Sequence, residues 1–382
     1  MGEAAEIPGR ALSVGDRIRR LRDRVLSDPA FLRWAGGTML GRAISRRESR
    51  AMFDVAAGFV YAQVLTAAVR LRLFETLMEG PLTVGDLARR LGLPERSTDL
   101  LLLAAEPMRL VERRSGGRWG IGRRGAALFG NAGLIAMIRH HDLFYRELAD
   151  PVALLKRGTS EAMGAFWPYA GAAAPGAIAA DSVAPYSRLM AASQSFLAPE
   201  ILAAYKFGRH RHLVDVGGGE GVFAIAAAER YPALRVTVVD LPPVAARARE
   251  RIDDAGLGGR VDAIGADFVR DALPEGADIV SLVRIVHDHD DAVALALLRN
   301  VFAALPPGGT VVIAEPTAGA AAAPGIASYF ALYLLAMGTG RPRTIAELSN
   351  LLTTAGFRSV RCLRDRNPIA TRVVTAKVPV RL

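Results

Sequence analysis

The sequence predicts an α/β protein: a parallel sheet flanked by helices fills its second half, after a mainly helical part that ends in a helix-turn-helix and a small hairpin. Three observations carry this prediction. From about residue 212, short apolar runs alternate with stretches of helical length, the pattern of strand and crossover helix. The run LVDV at 213–216 is followed by glycines at 217, 218, 219 and 221 and then by a helical pattern. Earlier, the stretch 81–106, PLTVGDLARRLGLPERSTDLLLLAAE, contains two short helical patterns broken at Gly92-Leu93-Pro94.

In chain order, residues 1–50 form a basic extension. Eleven arginines lie between Arg10 and Arg50 against four acids (Asp16, Asp23, Asp28, Glu48), a balance of +7. Ile18, Leu21 and Val25 share a helix face. A basic helix with an apolar stripe suits peripheral contact with an anionic membrane through residues 10–50; it equally suits an arm packed on a partner subunit. Residues 51–205 are expected to be helical, with helices over 50–69, 71–79, 83–91 and 95–106 and a hairpin through Gly116-Gly117, giving a winged helix-turn-helix. DNA binding is not expected of it. The second helix offers Arg96 alone against Glu95, Asp99 and Glu106, and its LLLLAA run belongs in a core.

Residues 206–382 are expected to form the sheet domain. Strands fall at 212–216, 235–239, 261–264, 278–285 and 309–315, with helices at 220–230, 244–254, 292–304 and 344–355. Two further strands are expected near 359–363 and 370–378. The formal charge of +10 is nearly all arginine, since Lys156, Lys206 and Lys377 are the only lysines. The single cysteine, Cys362, rules out an internal disulfide framework, and the first residues lack an apolar leader core, so a cytoplasmic protein is expected. The uncharged run Val55–Val69 is too short to span a membrane, and the apolar part of 317–340, IASYFALYLLAM, reads as a buried helix or pocket wall.

The glycine loop carries the chemistry. Glycine permits a tight turn and close approach to a ligand, the following helix adds N–H donors, and Asp240 ends the next strand where a carboxylate can bind ribose hydroxyls. A dinucleotide fingerprint needs a third glycine three positions after the second, and that position is Val222. The pattern is instead D-x-G-x-G-x-G at Asp215, Gly217, Gly219 and Gly221. It resembles the first motif of S-adenosylmethionine-dependent methyltransferases. Asp240 with Leu241, and Asp267 with Phe268, then stand where ribose and adenine would be held.

The stretch RIVHDHDD, Arg284–Asp291, follows the fourth strand and falls at the same edge of the sheet. In an extended segment His287 and His289 would point the same way, which suits two metal ligands, but a zinc site needs a third or fourth. A magnesium site on the aspartates is the remaining metal option; no metal is expected. His287 as a general base fits better, its ring oriented by Glu315 or Glu347. Methyl transfer from a sulfonium donor is an in-line displacement, so the enzyme must align acceptor, methyl and sulfur and remove the acceptor's proton.

Taken together, LVDVGGGEG, VVDLP, GADF, RIVHDHDD, IAEP and RPRTIAELSNLLTTAGF resemble the O-methyltransferases that include plant caffeic-acid and acetylserotonin enzymes and bacterial relatives. The resemblance covers roughly 50–380. It implies a Rossmann-like methyltransferase domain preceded by a mainly helical winged-helix dimerisation domain, and a homodimer. It also implies His287 as base flanked by Glu315 and Glu347, with Arg284 on the cofactor. One departure is His289, where the family has tryptophan. The leader RDRVLSDPAFLRWA and the segment from Ile44 to Leu77 resemble bacterial carotenoid O-methyltransferases, of the hydroxyneurosporene or demethylspheroidene type. That implies a lipophilic acyclic hydroxycarotenoid as acceptor, with Phe144, Phe166, Met190 and Met337 as candidate pocket lining. A phenolic or polyketide acceptor, or a winged-helix regulator sensing the cofactor, are the alternatives.

Overall fold

The computed structural model describes residues 13–167, 180–319, 324–363 and 371–380. Arg10 of the basic leader and residues 320–323 of the apolar segment lie outside them. The chain divides into two compact units, Met1–Gly120 and Ile121–Leu382. The expected boundary at 205/206 differs from this one. The helices between 123 and 204 group with the sheet because the last of them packs against sheet-domain helices.

The first unit opens with α1 (Val14–Ser27), α2 (Pro29–Gly37) and α3 (Met39–Arg70). Each start is capped by a side-chain oxygen, from Ser13, Asp28 and Thr38 respectively, as helix ends with free N–H groups require. Helix α3 is longer than the 50–69 run predicted. Arg42 to Arg50 continue its helix instead of ending it, because arginine is a good helix former. Over Gly41–Arg70 it is long and apolar enough to cross a membrane by length and composition, a test that Val55–Val69 alone does not meet; the core helix of a soluble protein passes the same test. Then come α4 (Leu73–Met78), α5 (Val84–Leu91) and α6 (Glu95–Ala105), with β1 (Val111–Arg114) and β2 (Arg118–Ile121) as the hairpin. Gly92 ends α5 in the left-handed conformation, as the Gly-Leu-Pro break predicted.

The second unit begins with α7 (Arg123–Phe129), α8 (Ala132–Leu148), α9 (Pro151–Arg157), α10 (Glu161–Phe166) and α11 (Ala180–Ala204). Strands β3 (His212–Val216), β4 (Arg235–Asp240), β5 (Val261–Gly265), β6 (Ile279–Val283), β7 (Thr310–Glu315), β8 (Arg358–Cys362) and β9 (Arg372–Lys377) form one sheet in the order β5-β4-β3-β6-β7-β9-β8. The first five are parallel, and β9 and β8 close the edge antiparallel. Helices α12 (Val222–Arg230), α13 (Pro242–Asp254), α14 (Asp291–Ala304), α15 (Pro324–Met337) and α16 (Ile345–Ala355) complete the chain.

The strands read as unbroken apolar runs because both faces are covered. Leu213, Val236 and Val238 pack with Phe223, Ala227 and Ile252 on one side. Val214, Val216, Val239 and Leu282 pack with Leu297, Leu298 and Leu352 on the other. Chain order reverses direction between β3 and β6, so a crevice opens beyond their carboxyl ends.

Candidate active site

A cavity of about 310 Å³ lies in that crevice. Gly217, Gly219, Asp240, Leu241, Asp267, Phe268 and Arg284 all line it, so the loops after β3, β4, β5 and β6 converge as the motifs predicted. Gly217, Gly219 and Gly221 have φ of 67°, 60° and 78°, a region that other residues enter at a cost of about 1–2 kcal/mol. A Cβ on Gly217 would sit 2.4 Å from Ile285 Cδ1, whereas one on Gly219 would meet nothing within 4 Å. The second glycine therefore serves backbone conformation and open space, the first close packing.

Asp240 is tied to the loop it faces. Its Oδ2 accepts from the Gly219 N–H and its Oδ1 from its neighbour Leu241, both at 2.8 Å. Burial pushes its carboxyl up to about 6, against the pull of these two N–H donors. Each oxygen keeps a lone pair for a ligand hydroxyl. Asp267 is less enclosed. Its carboxylate accepts from the Val269 N–H (3.1 Å) and from Arg270 (2.9 Å), which folds the turn that presents Phe268. Among the described residues two buried side-chain polar atoms lack a partner, Asp215 Oδ2 and Arg284 Nε. Burial pushes Asp215 up to about 7 although Ser281 donates to its other oxygen.

Arg284 leaves β6 with φ 59°, a left-handed value that is strained for a residue carrying a Cβ. Its Nη1 donates to Ser193 Oγ at 2.7 Å, and its guanidinium lies 5.5 Å from the centre of the Phe330 ring. The next residues do not continue the strand to 285. They form a one-turn 3₁₀ helix, Val286–Asp288, because Glu315 at the end of β7 caps it. Glu315 Oε1 accepts the N–H groups of Ile285 (2.9 Å) and Val286 (2.7 Å), and its Oε2 pairs with His287 Nδ1.

This turn overturns the expectation that His287 and His289 point together from an extended segment. The 3₁₀ turn separates them. His287 is buried against Glu315, Asp288 and Phe330, while His289 lines the cavity 6.2 Å from Phe268. Among the described residues no group of three or more His, Cys, Asp or Glu is arranged to hold a metal. Burial pulls His287 down, but the carboxylates of Asp288 and Glu315 outweigh it and raise the imidazole above its ordinary value. A carboxylate can only accept, so Nδ1 keeps a proton toward Glu315, and it is Nε2, protonated toward Asp288 only below the raised value, that gains and loses one. Asp288 Oδ1 lies 3.1 Å from that Nε2, and burial raises the Asp288 carboxyl as well.

Glu347 is placed elsewhere than predicted. It is the N3 residue of α16, in a capping box with Thr344. Its Oε2 accepts from the Thr344 N–H and hydroxyl, both 2.8 Å, and its Oε1 from Arg341 at 2.8 Å. These donors hold its carboxyl down at about 2. The T-x-x-E spacing of Thr344–Glu347 was a capping signature readable from the sequence. Asp290 occupies the cap position of α14, but its carboxylate accepts from the Gly340 N–H.

Of the four candidate lining residues, Met190 alone lies on the cavity, where Arg284 Nη2 donates to its sulfur at 3.7 Å. Phe144, Phe166 and Met337 sit in an aromatic cluster between α8, α10 and α15 with Tyr329, Phe330 and Tyr333. There His140 Nε2 is 3.0 Å from the Tyr333 hydroxyl, and burial pushes that imidazole down to about 4. Trp167 and Tyr186 also line the cavity, as do Ser187 and Gln194, which nothing in the sequence motifs singled out. Ser187, Met190 and Gln194 recur at helical spacing on α11, a stripe mixing apolar and polar groups that could have marked a cavity wall.

A glycine-turned loop with an acid at the end of β4, set on a Rossmann-like sheet in the order β5-β4-β3-β6-β7-β9-β8, defines a protein of the S-adenosylmethionine-dependent methyltransferase class. Residues 145–358 match the O-methyltransferase domain family and residues 53–133 the O-methyltransferase dimerisation domain. The chain is 43% identical over 363 residues to demethylspheroidene O-methyltransferase of Cereibacter sphaeroides, covering 95% of this chain and 96% of that one. It is 39% identical over 338 residues to the protein of that name from Rhodobacter capsulatus, with 87% and 83% covered. The solved structure of the S-adenosylmethionine-dependent methyltransferase SibL superposes with a TM-score of 0.73 at 30% identity, over 86% of this chain and 99% of the other. The chain belongs to the S-adenosylmethionine-dependent O-methyltransferase family.

Proposed function

We propose that this enzyme methylates a hydroxyl of an acyclic hydroxycarotenoid, with His287 as general base. The observation that carries the mechanism is the Glu315–His287 pair, held on the turn that borders the glycine-lined cavity. Gly217, Gly219, Asp240, Leu241, Asp267, Phe268 and Arg284 hold the cofactor. The two lone pairs left on Asp240 take the ribose hydroxyls, and the unpartnered Asp215 Oδ2 and Arg284 Nε are polar groups awaiting a partner. S-adenosylmethionine, when bound, supplies a methyl group on a sulfonium centre. Glu315 fixes the tautomer, and His287 Nε2 takes the acceptor's proton as Asp288 yields its place on that nitrogen.

The acceptor follows from two supports: the relatives named demethylspheroidene O-methyltransferase, and the aromatic side chains of Trp167 and Tyr186 on the cavity. Aromatic faces suit a polyene. An aliphatic alcohol is a weaker acid than a phenol, so a firmly oriented base matters more for it. The enzyme works as a homodimer in the cytoplasm, through its dimerisation domain.

The test is product mass spectrometry with hydroxylated acyclic carotenoids in detergent micelles, run beside a phenolic panel. One added methyl on the carotenoid supports the acceptor; methylation of phenols alone discards it. His287→Ala should cut turnover by about 10²–10⁴-fold while S-adenosylmethionine affinity, read by calorimetry, stays near wild type. Parallel loss of both would remove His287 from the role of base.

A further inference from the structure

We infer that α1 is a docking helix for the surface of an anionic phospholipid bilayer. The helix buries none of its residues within the protein. At 100° per residue, Val14, Ile18, Leu21 and Val25 fall within an arc of about 60°. All four are exposed, Ile18 and Leu21 at 64% each. Arg22 stands on one flank of that stripe and Arg17 and Arg24 on the other, while Asp16 and Asp23 project from the opposite side. Next along the chain, α2 exposes Trp34 at 68%, beside Phe31 with ring centres 5.7 Å apart.

The order of these groups around the helix decides the occupant. A subunit interface excludes charge from its core and prefers a broad apolar patch. Here the apolar stripe is one residue wide, and arginine stems on both sides can bury their carbons while the guanidinium groups reach out. A layer that is apolar below and negatively charged above matches this profile: acyl chains take the stripe and lipid phosphates take the arginines. Both acids face water. The Arg22–Asp23 and Arg19–Asp16 pairs are highly exposed and hold little energy against exchange for phosphate. Tryptophan is the side chain favoured at the headgroup level. The segment also precedes residues 53–133, the stretch that matches the dimerisation domain. The inference deepens the function proposed above, because such a surface holds a lipophilic acceptor.

The experiment is co-sedimentation of the full-length chain with vesicles of phosphatidylcholine alone, or mixed with phosphatidylglycerol, at low and high salt. Binding to the anionic vesicles, its release by salt, and its absence on phosphatidylcholine are expected. Leu21→Glu should weaken binding about tenfold or more. Arg17→Gln and Arg24→Gln should each weaken it about fivefold. Melting temperature and S-adenosylmethionine affinity should not move, because α1 buries nothing. Equal binding by Leu21→Glu and wild type would overturn the inference, as would a lack of binding to anionic vesicles. So would a Leu21→Glu chain that loses its dimer but keeps its vesicle binding, which would make the stripe a subunit contact. Methylation in detergent micelles reads the acceptor separately. Failure there with vesicle binding intact sinks the carotenoid reading and leaves the docking helix standing.

Discussion

Two carboxylates on one imidazole set the chemistry of His287. Its raised value is a statement about pH: the ring is protonated below that value and cannot accept a proton, so turnover should rise as pH climbs through a midpoint above 6.5, the ordinary histidine value. The plateau lies above the midpoint and activity is lost as pH falls. Glu315→Gln tests the tautomer. Its amide would keep one oxygen on the Ile285 and Val286 N–H groups and turn an NH₂ donor toward Nδ1, moving the ring proton to Nε2. Turnover should then fall by about 10³–10⁴-fold, as for a wrongly protonated histidine elsewhere. A pH–rate profile that is flat, or a Glu315→Gln enzyme of near wild-type rate, would contradict this. Only the folded 3₁₀ turn shows the Asp288 carboxylate on Nε2.

At the scale of elements, the turn is gripped from the segment before α16. Arg343, 4% exposed, donates to the carbonyls of Val286 (2.6 Å) and His289 (2.7 Å) and to Asp291. The Arg341 N–H donates to the His287 carbonyl at 2.9 Å, and a Cβ on Gly340 would sit 2.1 Å from that oxygen. Arg343→Met strips two buried carbonyls of their donors and should cost about 2–3 kcal/mol of stability. It should also lower turnover by about 10²-fold through misplacement of the base. Glu347→Ala removes half a capping box and should cost about 1 kcal/mol, with turnover close to wild type. Denaturation midpoints and steady-state rates on the two variants separate these outcomes; a severe rate loss in Glu347→Ala alone would return it to the site. The strands and α12 to α14 were legible because both-faced burial forces unbroken apolar runs and glycine and proline mark their ends. Arg343 was not, since nothing local in RPRTIAE shows which carbonyls a guanidinium will meet.

For the whole molecule, the exposed apolar side chains of α3 ask for cover. Phe53 and Phe59 stand 69% and 72% exposed, and both fall inside the dimerisation domain. We expect the 40.7 kDa chain to sediment as a dimer, and Phe59→Asp to shift it to monomer without unfolding, since that side chain supports no core. A dimer that survives Phe59→Asp would place the interface elsewhere.

The sequence by itself determined the sheet, the order of its strands in the chain, the glycine turn and the choice of S-adenosylmethionine over a dinucleotide. All of these rest on local spacing: Gly219 followed by Gly221 and not by a glycine at 222, and an acid at 240 one strand later. It also named His287 and Glu315, because both end or follow strands at one edge of a parallel sheet. Tertiary structure alone decided which carboxylates meet the imidazole, separated His287 from His289, moved Glu347 to a helix cap and placed Phe144, Phe166 and Met337 in packing rather than on the cavity. The reason is physical. Periodicity and turn residues report what a segment does with its own backbone, whereas the partners of a side chain come from segments tens of residues away, brought together only when the sheet is assembled.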